Sequence, residues 1–164
     1  MEQDGDMKEE ERGKRGKAVR ESVSFILYLI VIVVLTFLMI RYVGQRTRVD
    51  GSSMENTLTN GDNLIVDKIS YRFHEPERFD IIVFPYQYKE DTYFIKRIIG
   101  MPGETVQITD KGEILIDGEE LVESYGREVI KDPGLASDPI TLGEDEYFVM
   151  GDNRNNSNDA REWE

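Results

Sequence analysis

The longest apolar stretch of the chain covers residues 22–40, which include no charged side chain. As a helix, these residues would extend roughly 28 Å, close to the thickness of the hydrocarbon core of a bilayer. The stretch is longer than the apolar part of a cleavable secretory signal, and Arg41 follows it instead of a small-residue cleavage site. No other segment is long enough to cover such a helix on all faces, which disfavours a buried core helix. The pattern therefore predicts a retained transmembrane helix over residues 22–43.

Beyond this stretch, the apolar positions form short runs of β-branched and aromatic residues typical of strands. The runs are residues 63–67, 79–84, 93–99, 105–108, 114–116 and 147–150. Turn sequences such as Asn60-Gly61 and Asp117-Gly118 separate them, and residues 122–145 read as an irregular excursion between strands. About 120 residues suffice for one domain. We predict a mostly β fold, an antiparallel, hairpin-rich folded sheet or barrel in residues 44–164 behind one N-terminal transmembrane helix.

The distribution of basic residues predicts the topology of the anchor. The basic residues near the stretch are Lys8, Arg12, Lys14, Arg15, Lys17 and Arg20 before it and Arg41, Arg46 and Arg48 after it. Because cytoplasmic flanks carry the excess of Lys and Arg, the N-terminus is expected in the cytoplasm and the β-rich domain outside. Residues 1–21 have almost nothing to bury and are predicted to form a disordered cytoplasmic tail.

Composition narrows the range of functions. Of 33 acidic and 20 basic residues, residues 41–164 contain 26 and 14, a net charge of −12. Such a surface repels phosphate backbones, and nucleic acid is therefore not expected as a partner. The chain has no cysteine, which excludes disulfides and thiolate metal sites.

The candidate chemistry lies in a serine and a lysine. Ser53 follows the predicted anchor by about twelve residues, at most roughly 40 Å of extended chain. Serine needs a base, and a lysine neutralised by burial can serve where histidine is absent. Lys96 shares its predicted strand face with Phe94, although a strand lysine is more often an exposed side chain. The single histidine, His74, lies in a turn-like segment before a proline, so a Ser-His-Asp site is disfavoured.

Several segments, in fixed order, resemble the type I signal peptidases, serine-lysine proteases anchored with the catalytic domain outside the cytoplasm. The matching segments are residues 53–58, 61–68, 78–84, 93–104 and 151–161. The single anchor and short excursion are similar to Gram-positive members. The resemblance implies a monomeric serine endopeptidase that uses no cofactor or metal and removes signal peptides from secretory preproteins after small residues.

The resemblance also implies a role for each site residue. Ser53 would be the nucleophile, Lys96 the general base, and Ser157 a second hydroxyl that positions the lysine. The remaining supporting residues are Asp159 and Arg161, expected to form an ion pair, with Gly51 and Met54 beside the nucleophile.

This sequence departs from the family pattern at four places. Gly51 stands where some members have a serine that stabilises the oxyanion, so the Ser53 backbone N–H is expected to carry more of that work. Asn56 replaces a common proline and Ala160 a common serine. The chain stops at Trp163-Glu164, where the family usually continues into a glycine and one more strand, so the C-terminal strand of the catalytic domain is expected to be missing. The alternatives are a self-cleaving Ser-Lys domain, which would need no anchor, and a non-catalytic membrane-tethered assembly or chaperone-like module derived from a peptidase.

Overall fold

One long helix, α1 (Gln3–Tyr42), makes up most of the first of two structural units, which comprises residues 1–45 with 67–69. The computed structural model describes residues 3–87 and 89–163. Within α1, the 24 residues Val19–Tyr42 are long and apolar enough to cross a membrane, judged by length and composition. Their apolar side chains, such as Phe25 and Val33, are exposed, as a surrounding lipid phase requires. The helix covers all but the last residue of the predicted anchor, residues 22–43, and the anchoring itself stays a prediction.

The segment before the anchor differs from the prediction of a disordered tail. The helix begins at Gln3 and so includes the backbone of most of residues 1–21, while Met1 and Glu2 lie outside the described residues. Glu, Lys and Arg dominate this segment, and all three have high helix propensity. Extending an existing helix also avoids the cost of nucleation, which an isolated segment would have to meet.

The second unit, residues 46–66 with 70–164, contains nearly all of the β-structure. The strands are β1 (Gly44–Arg48), β2 (Asn63–Asp67), β3 (Ile81–Pro85), β4 (Tyr93–Gly100), β5 (Thr105–Ile108), β6 (Ile114–Ile116), β7 (Glu119–Glu120), β8 (Ile140–Thr141) and β9 (Phe148–Met150). Short 3₁₀ helices occur at Ser70–Arg72 and Gly134–Ser137. The six predicted strands are all present, with small shifts at their ends. The strands β1, β7 and β8 were missed, because they are short or consist mainly of polar residues.

In the described residues, the strands form three small sheets, with the orders β1-β2, β3-β4-β9 and β7-β6-β5-β8. The pairings of β3 with β4, of β4 with β9, and of β5 with β6 and β8 are antiparallel. Strand β4 is central in its sheet: Lys96 lies opposite Ile82 of β3, and Arg97 lies opposite Met150 of β9. The predicted mostly β, antiparallel fold behind an N-terminal apolar helix is therefore confirmed.

The hydrophobic core lies between the second and third sheets and under the excursion. Its buried members are Ile99, Val106, Ile108, Ile114, Ile130, Ala136, Leu142, Phe148 and Met150. Ile130 and Ala136 belong to the excursion of residues 122–145, so this irregular segment packs onto the sheets. The core thus fixes β4, β9 and the excursion relative to one another.

A buried ion pair joins β4 to the segment after β9. Arg97 and Asp152 form two hydrogen bonds, Nε to Oδ1 at 2.8 Å and Nη2 to Oδ2 at 2.7 Å, and their side chains are 5% and 0% exposed. The Thr57 hydroxyl donates to Asp152 Oδ2 at 2.5 Å. The Tyr125 ring covers the guanidinium, with its centroid 3.7 Å from Cζ. Four distant parts of the chain therefore meet at one buried charge pair.

Removing one charge from this pair should destabilise the fold strongly. We expect Asp152→Asn to lower the free energy of unfolding by about 3–5 kcal/mol, because Arg97 would remain buried without a counter-charge. The control is Glu128→Gln, which removes an exposed ion pair at 3.9 Å and should cost less than about 1 kcal/mol. Denaturant unfolding of the detergent-solubilised chain measures both values. Equal stabilities of the two variants would contradict a central role for the buried pair.

Candidate active site

Ser53 lies in the loop between β1 and β2, and hydrogen bonds across the base of this loop hold its shape. Val49 N donates to Asp62 O at 2.9 Å, and Gly61 N donates to Val49 O at 2.9 Å. Gly51 N donates to Asn60 Oδ1 at 3.0 Å. Next to Ser53, Met54 is buried. Gly51 and Met54, both expected beside the nucleophile, are thus held by local contacts.

The segment after β9 runs alongside this nucleophile turn. Asn153 N donates to Ser53 O at 3.0 Å, and Asn153 Nδ2 donates to Ser52 O at 3.0 Å. Asn156 Nδ2 donates to Ser52 Oγ at 3.0 Å. Residues about a hundred positions apart are therefore joined directly at the reactive serine.

Lys96 reaches the serine from the middle of β4. Its Nζ donates hydrogen bonds to Ser53 Oγ at 3.0 Å and to Ile95 O at 3.2 Å. The residue is 3% exposed, and Nζ lies 4.8 Å from the centroid of the Phe94 ring. The contact with Phe94 is the one expected from the alternation of side chains on a strand. The two candidate residues are thus within the distance required for proton transfer.

Burial lowers the pKa of the Lys96 ammonium below its ordinary value of 10.5, while the charge of Asp159 raises it, with burial the larger effect. Removing the ammonium from water disfavours its charged form. A neutral amine is the form that can accept a proton from a serine hydroxyl. The surroundings of Lys96 therefore shift it toward the protonation state of a base.

Asp159 and Arg161 form the expected ion pair, and it is buried. Arg161 Nε donates to Asp159 Oδ1 at 2.8 Å, and Nη2 donates to Oδ2 at 3.0 Å. Asp159 Oδ2 also accepts from Gly151 N at 3.0 Å. Arg161 Nη2 donates to Arg154 O at 2.6 Å. Together these bonds fold the segment from Gly151 to Arg161 back on itself beside the serine.

Ser157 lies near Ser53, and its hydroxyl makes no hydrogen bond with Lys96, the residue that it was predicted to position. Its Oγ is buried and has no hydrogen-bond partner in the part of the chain that the structure describes. Lys96 Nζ donates instead to Ser53 Oγ and Ile95 O. A Cβ at Gly151 would overlap both Ser157 Oγ and Ser53 O. Only glycine therefore allows the segment containing Ser157 to approach the nucleophile turn this closely.

A groove with a volume of about 240 Å³ opens at the two residues. It is lined by Thr47, Arg48, Val49, Asp50, Gly51, Ser53, Met54, Val83, Tyr93, Phe94, Ile95, Lys96 and Asn158. Most of these residues belong to two extended segments, residues 47–51 and β4, and many have apolar side chains. A groove between two extended segments is suited to an extended peptide, whose alternate side chains can enter it.

His74 and the arrangement of possible metal ligands also bear on the chemistry of the chain. His74 is exposed in the turn after the 3₁₀ helix Ser70–Arg72, and its Nδ1 lies 3.1 Å from Glu75 O. Among the described residues, no group of three or more His, Cys, Asp or Glu side chains is arranged to hold a metal ion. The histidine is therefore part of a surface loop, as expected from its sequence context.

Comparison with known proteins gives the family. The model of the family described as signal peptidase, peptidase S26 matches residues 21–164. The chain belongs to the signal peptidase family, peptidase S26. It is 39% identical over 142 residues to the probable signal peptidase I-1 of Synechocystis sp., covering 82% of this chain and 70% of that protein. It is 43% identical over 129 residues to signal peptidase I of Leptolyngbya laminosa, covering 74% of this chain and 62% of that protein.

The match thus extends over less than two thirds of the Leptolyngbya protein. This chain is also similar to a solved structure, the crystal structure of a signal peptidase I from Enterococcus faecalis V583. The sequence identity is 34% and the TM-score is 0.43. The similarity covers 54% of this chain and 86% of that one.

Several contacts of this signal peptidase family member were not anticipated from the sequence. The ion pair of Arg97 and Asp152 was not predicted, although both residues lie in segments that resemble the signal peptidase family. A charged residue does not indicate by itself which residue it will pair with. The excursion was predicted only as irregular. In the structure, Arg127 of the excursion bonds Glu55 at 2.8 Å, and Glu123 bonds Arg154 at 2.5 Å.

Lys96 should make stability depend on pH in a definite direction. Between the lowered folded pKa of Lys96 and the ordinary value of 10.5, the unfolded chain binds more protons, so the free energy of unfolding rises with pH. The cost of burying the charge is full below the folded pKa and disappears above 10.5. Unfolding free energies measured against pH should therefore rise more steeply for wild type than for Lys96→Met. Parallel curves for the two proteins would contradict the burial effect.

The exposed pair of Glu55 and Arg127 should influence the site more than the stability. Their side chains are 32% and 39% exposed, so their contribution to stability is below about 1 kcal/mol. Glu55 is two residues from Ser53, and small displacements of a nucleophile reduce turnover strongly. We expect Arg127→Glu to lower the kcat of peptide cleavage by up to about tenfold without lowering Tm appreciably. The swap Glu55→Arg/Arg127→Glu should recover most of the loss, and no recovery would contradict positioning by this pair.

Proposed function

We propose that this chain is a membrane-anchored serine endopeptidase that removes signal peptides from secretory preproteins with Ser53 and Lys96 as its catalytic pair. The observation that carries the proposal is the 3.0 Å contact between Ser53 Oγ and a buried Lys96 Nζ. The two residues open onto a groove suited to an extended peptide. Membership of the signal peptidase family supports the same substrate class.

The proposed reaction proceeds through an acyl-enzyme. Lys96 Nζ accepts the proton of the Ser53 hydroxyl as Oγ attacks the carbonyl carbon of the scissile bond. The C–N bond then breaks, and Lys96 returns the proton to the leaving amine. A water molecule next attacks the ester, loses a proton to Lys96, and releases the acyl product. The proton then returns to Ser53 Oγ, so the enzyme ends in its starting state.

The oxyanion requires a donor near Ser53. The Ser53 backbone N–H makes no hydrogen bond to other residues in the described part of the chain. This N–H is therefore available to a substrate carbonyl, and one well-placed donor of this kind is worth several kcal/mol. Gly51, two residues before Ser53, has no side chain to contribute.

The acyl side of the substrate would bind in the apolar groove. Met54 is buried beside Ser53, and Val83, Phe94 and Ile95 line the same groove. A groove of about 240 Å³ is below the size of typical ligand pockets, so it favours small side chains near the scissile bond.

Anchoring would bring the enzyme to its substrates. Val19–Tyr42 is a helix suitable for crossing a membrane, and the basic residues before it favour a cytoplasmic N-terminus. The second unit would then face the side to which preproteins are exported, where the apolar segment of a signal peptide ends.

The catalytic pair is tested by substitution in the full chain in detergent or liposomes. We expect Ser53→Ala and Lys96→Met each to reduce kcat for a preprotein by at least about 10³-fold, with the double variant no worse than the worse single. Circular dichroism and Tm serve to show that the variants are folded. The matched control Lys111→Met changes a lysine in the turn between β5 and β6 and should retain activity. Substantial cleavage by either single variant would refute the assignment.

A further inference from the structure

A second, polar cavity lies next to the groove that contains Ser53 and Lys96. Its volume is about 490 Å³, and its lining comes from two segments of the same unit. The excursion contributes Lys131, Asp132 and Gly134, and the segment after β9 contributes residues 154–158 with Arg161 and Glu162. Asn158 lines both cavities. The two cavities are therefore neighbours that share one wall.

The polar cavity reaches the nucleophile turn. Asn156, one of its lining residues, donates to Ser52 Oγ at 3.0 Å, and Ser52 directly precedes the proposed nucleophile. Ser157, also in the lining, has its buried hydroxyl next to Gly151, on the side where Ser53 O lies. One part of a peptide bound at Ser53 would therefore lie in the apolar groove. The polar cavity lies close to the nucleophile turn that such a peptide passes.

We propose that this polar cavity binds the first residues on the leaving-group side of the scissile bond, a proposal that rests on the proposed function. The acyl side of a signal peptide is apolar and small, which suits the groove lined by Val83, Phe94 and Ile95. The leaving side is the start of a mature secreted protein, which is generally polar. Three extended residues span about 10 Å, a length suited to a cavity of this volume.

The charges of the lining indicate which leaving segments it favours. Its two buried cations are already neutralised, Arg154 by Glu123 and Arg161 by Asp159. Lys131 is largely exposed and lies 3.9 Å from Glu128. Two exposed carboxylates remain, Asp132 and Glu162. Within the described residues, Asp132 accepts a hydrogen bond from Gly134 N at 2.9 Å and Glu162 accepts one from Asn158 Nδ2 at 2.9 Å. The cavity is therefore expected to prefer a basic to an acidic side chain.

The preference is tested with two substrates that are identical up to the scissile bond. One has lysine and the other glutamate at the second and third positions after that bond. For wild type at low ionic strength, we expect kcat/KM to favour the lysine substrate about threefold, since pairs of exposed charges attract each other only weakly. The ratio should fall toward unity in high salt, because screening weakens exposed interactions.

Substitutions that keep the hydrogen bonds locate the preference in this cavity. Asp132→Asn/Glu162→Gln removes both charges while leaving acceptors for Gly134 and Asn158, and should bring the ratio close to one. Asp132→Lys/Glu162→Lys should reverse it. The matched control Glu144→Gln/Asp145→Asn makes the same charge change at two exposed residues outside the lining, and it should keep the wild-type ratio.

The outcomes separate the two proposals. The assignment of the cavity alone is overturned if both substrates are cleaved and Asp132→Asn/Glu162→Gln leaves the ratio of their kcat/KM values unchanged. It is also overturned if the control variant changes that ratio by the same amount. Failure of wild type to cleave either substrate overturns the proposed function and the cavity assignment with it. A ratio that collapses in the first variant, reverses in the second and persists in the control supports binding of the leaving segment here.

Discussion

The buried pair of Arg97 and Asp152 is the contact on which the arrangement of the candidate site depends. Arg97 follows Lys96 in β4, and Asp152 lies between Gly151 and Asn153, whose backbone N–H binds Ser53 O. Thr57, from the loop of Ser53, donates to the same carboxylate. Because a buried charge must keep its counter-charge, the lysine, the serine loop and the closing segment are held together by one electrostatic constraint.

The surroundings of Lys96 in this arrangement change the pKa of its side chain. Its burial lowers the pKa of its ammonium, and the carboxylate of Asp159 opposes the shift. Arg161 neutralises much of the charge of Asp159 through two hydrogen bonds, which limits the opposing effect. The same ion pair binds Gly151 N and so fixes the turn beside Ser53. The proposed base is thus favoured in its neutral form at a cost in folding stability.

The excursion between β7 and β9 is a structural part of the site. Tyr125 covers the Arg97 guanidinium, Arg127 binds Glu55, and Ile130 enters the core. One segment without strands of its own, apart from the two residues of β8, therefore supports the ion pair, the serine loop and the second cavity. Its irregular backbone explains why it can follow three different surfaces, which a regular strand could not.

The sequence by itself determined the apolar helix, six of the nine strands in the part of the chain that the structure describes, and Ser53 and Lys96 as the candidate pair. These depend on local periodicity and on motifs in fixed order, which need no knowledge of distant neighbours. Only the tertiary structure decided that Arg97 pairs with Asp152, 55 residues away, that Glu55 pairs with Arg127, 72 residues away, and that Ser157 does not bond Lys96. A charged side chain can pair with any opposite charge that the fold brings close, so its partner follows from chain topology and burial and cannot be derived from its neighbours in sequence.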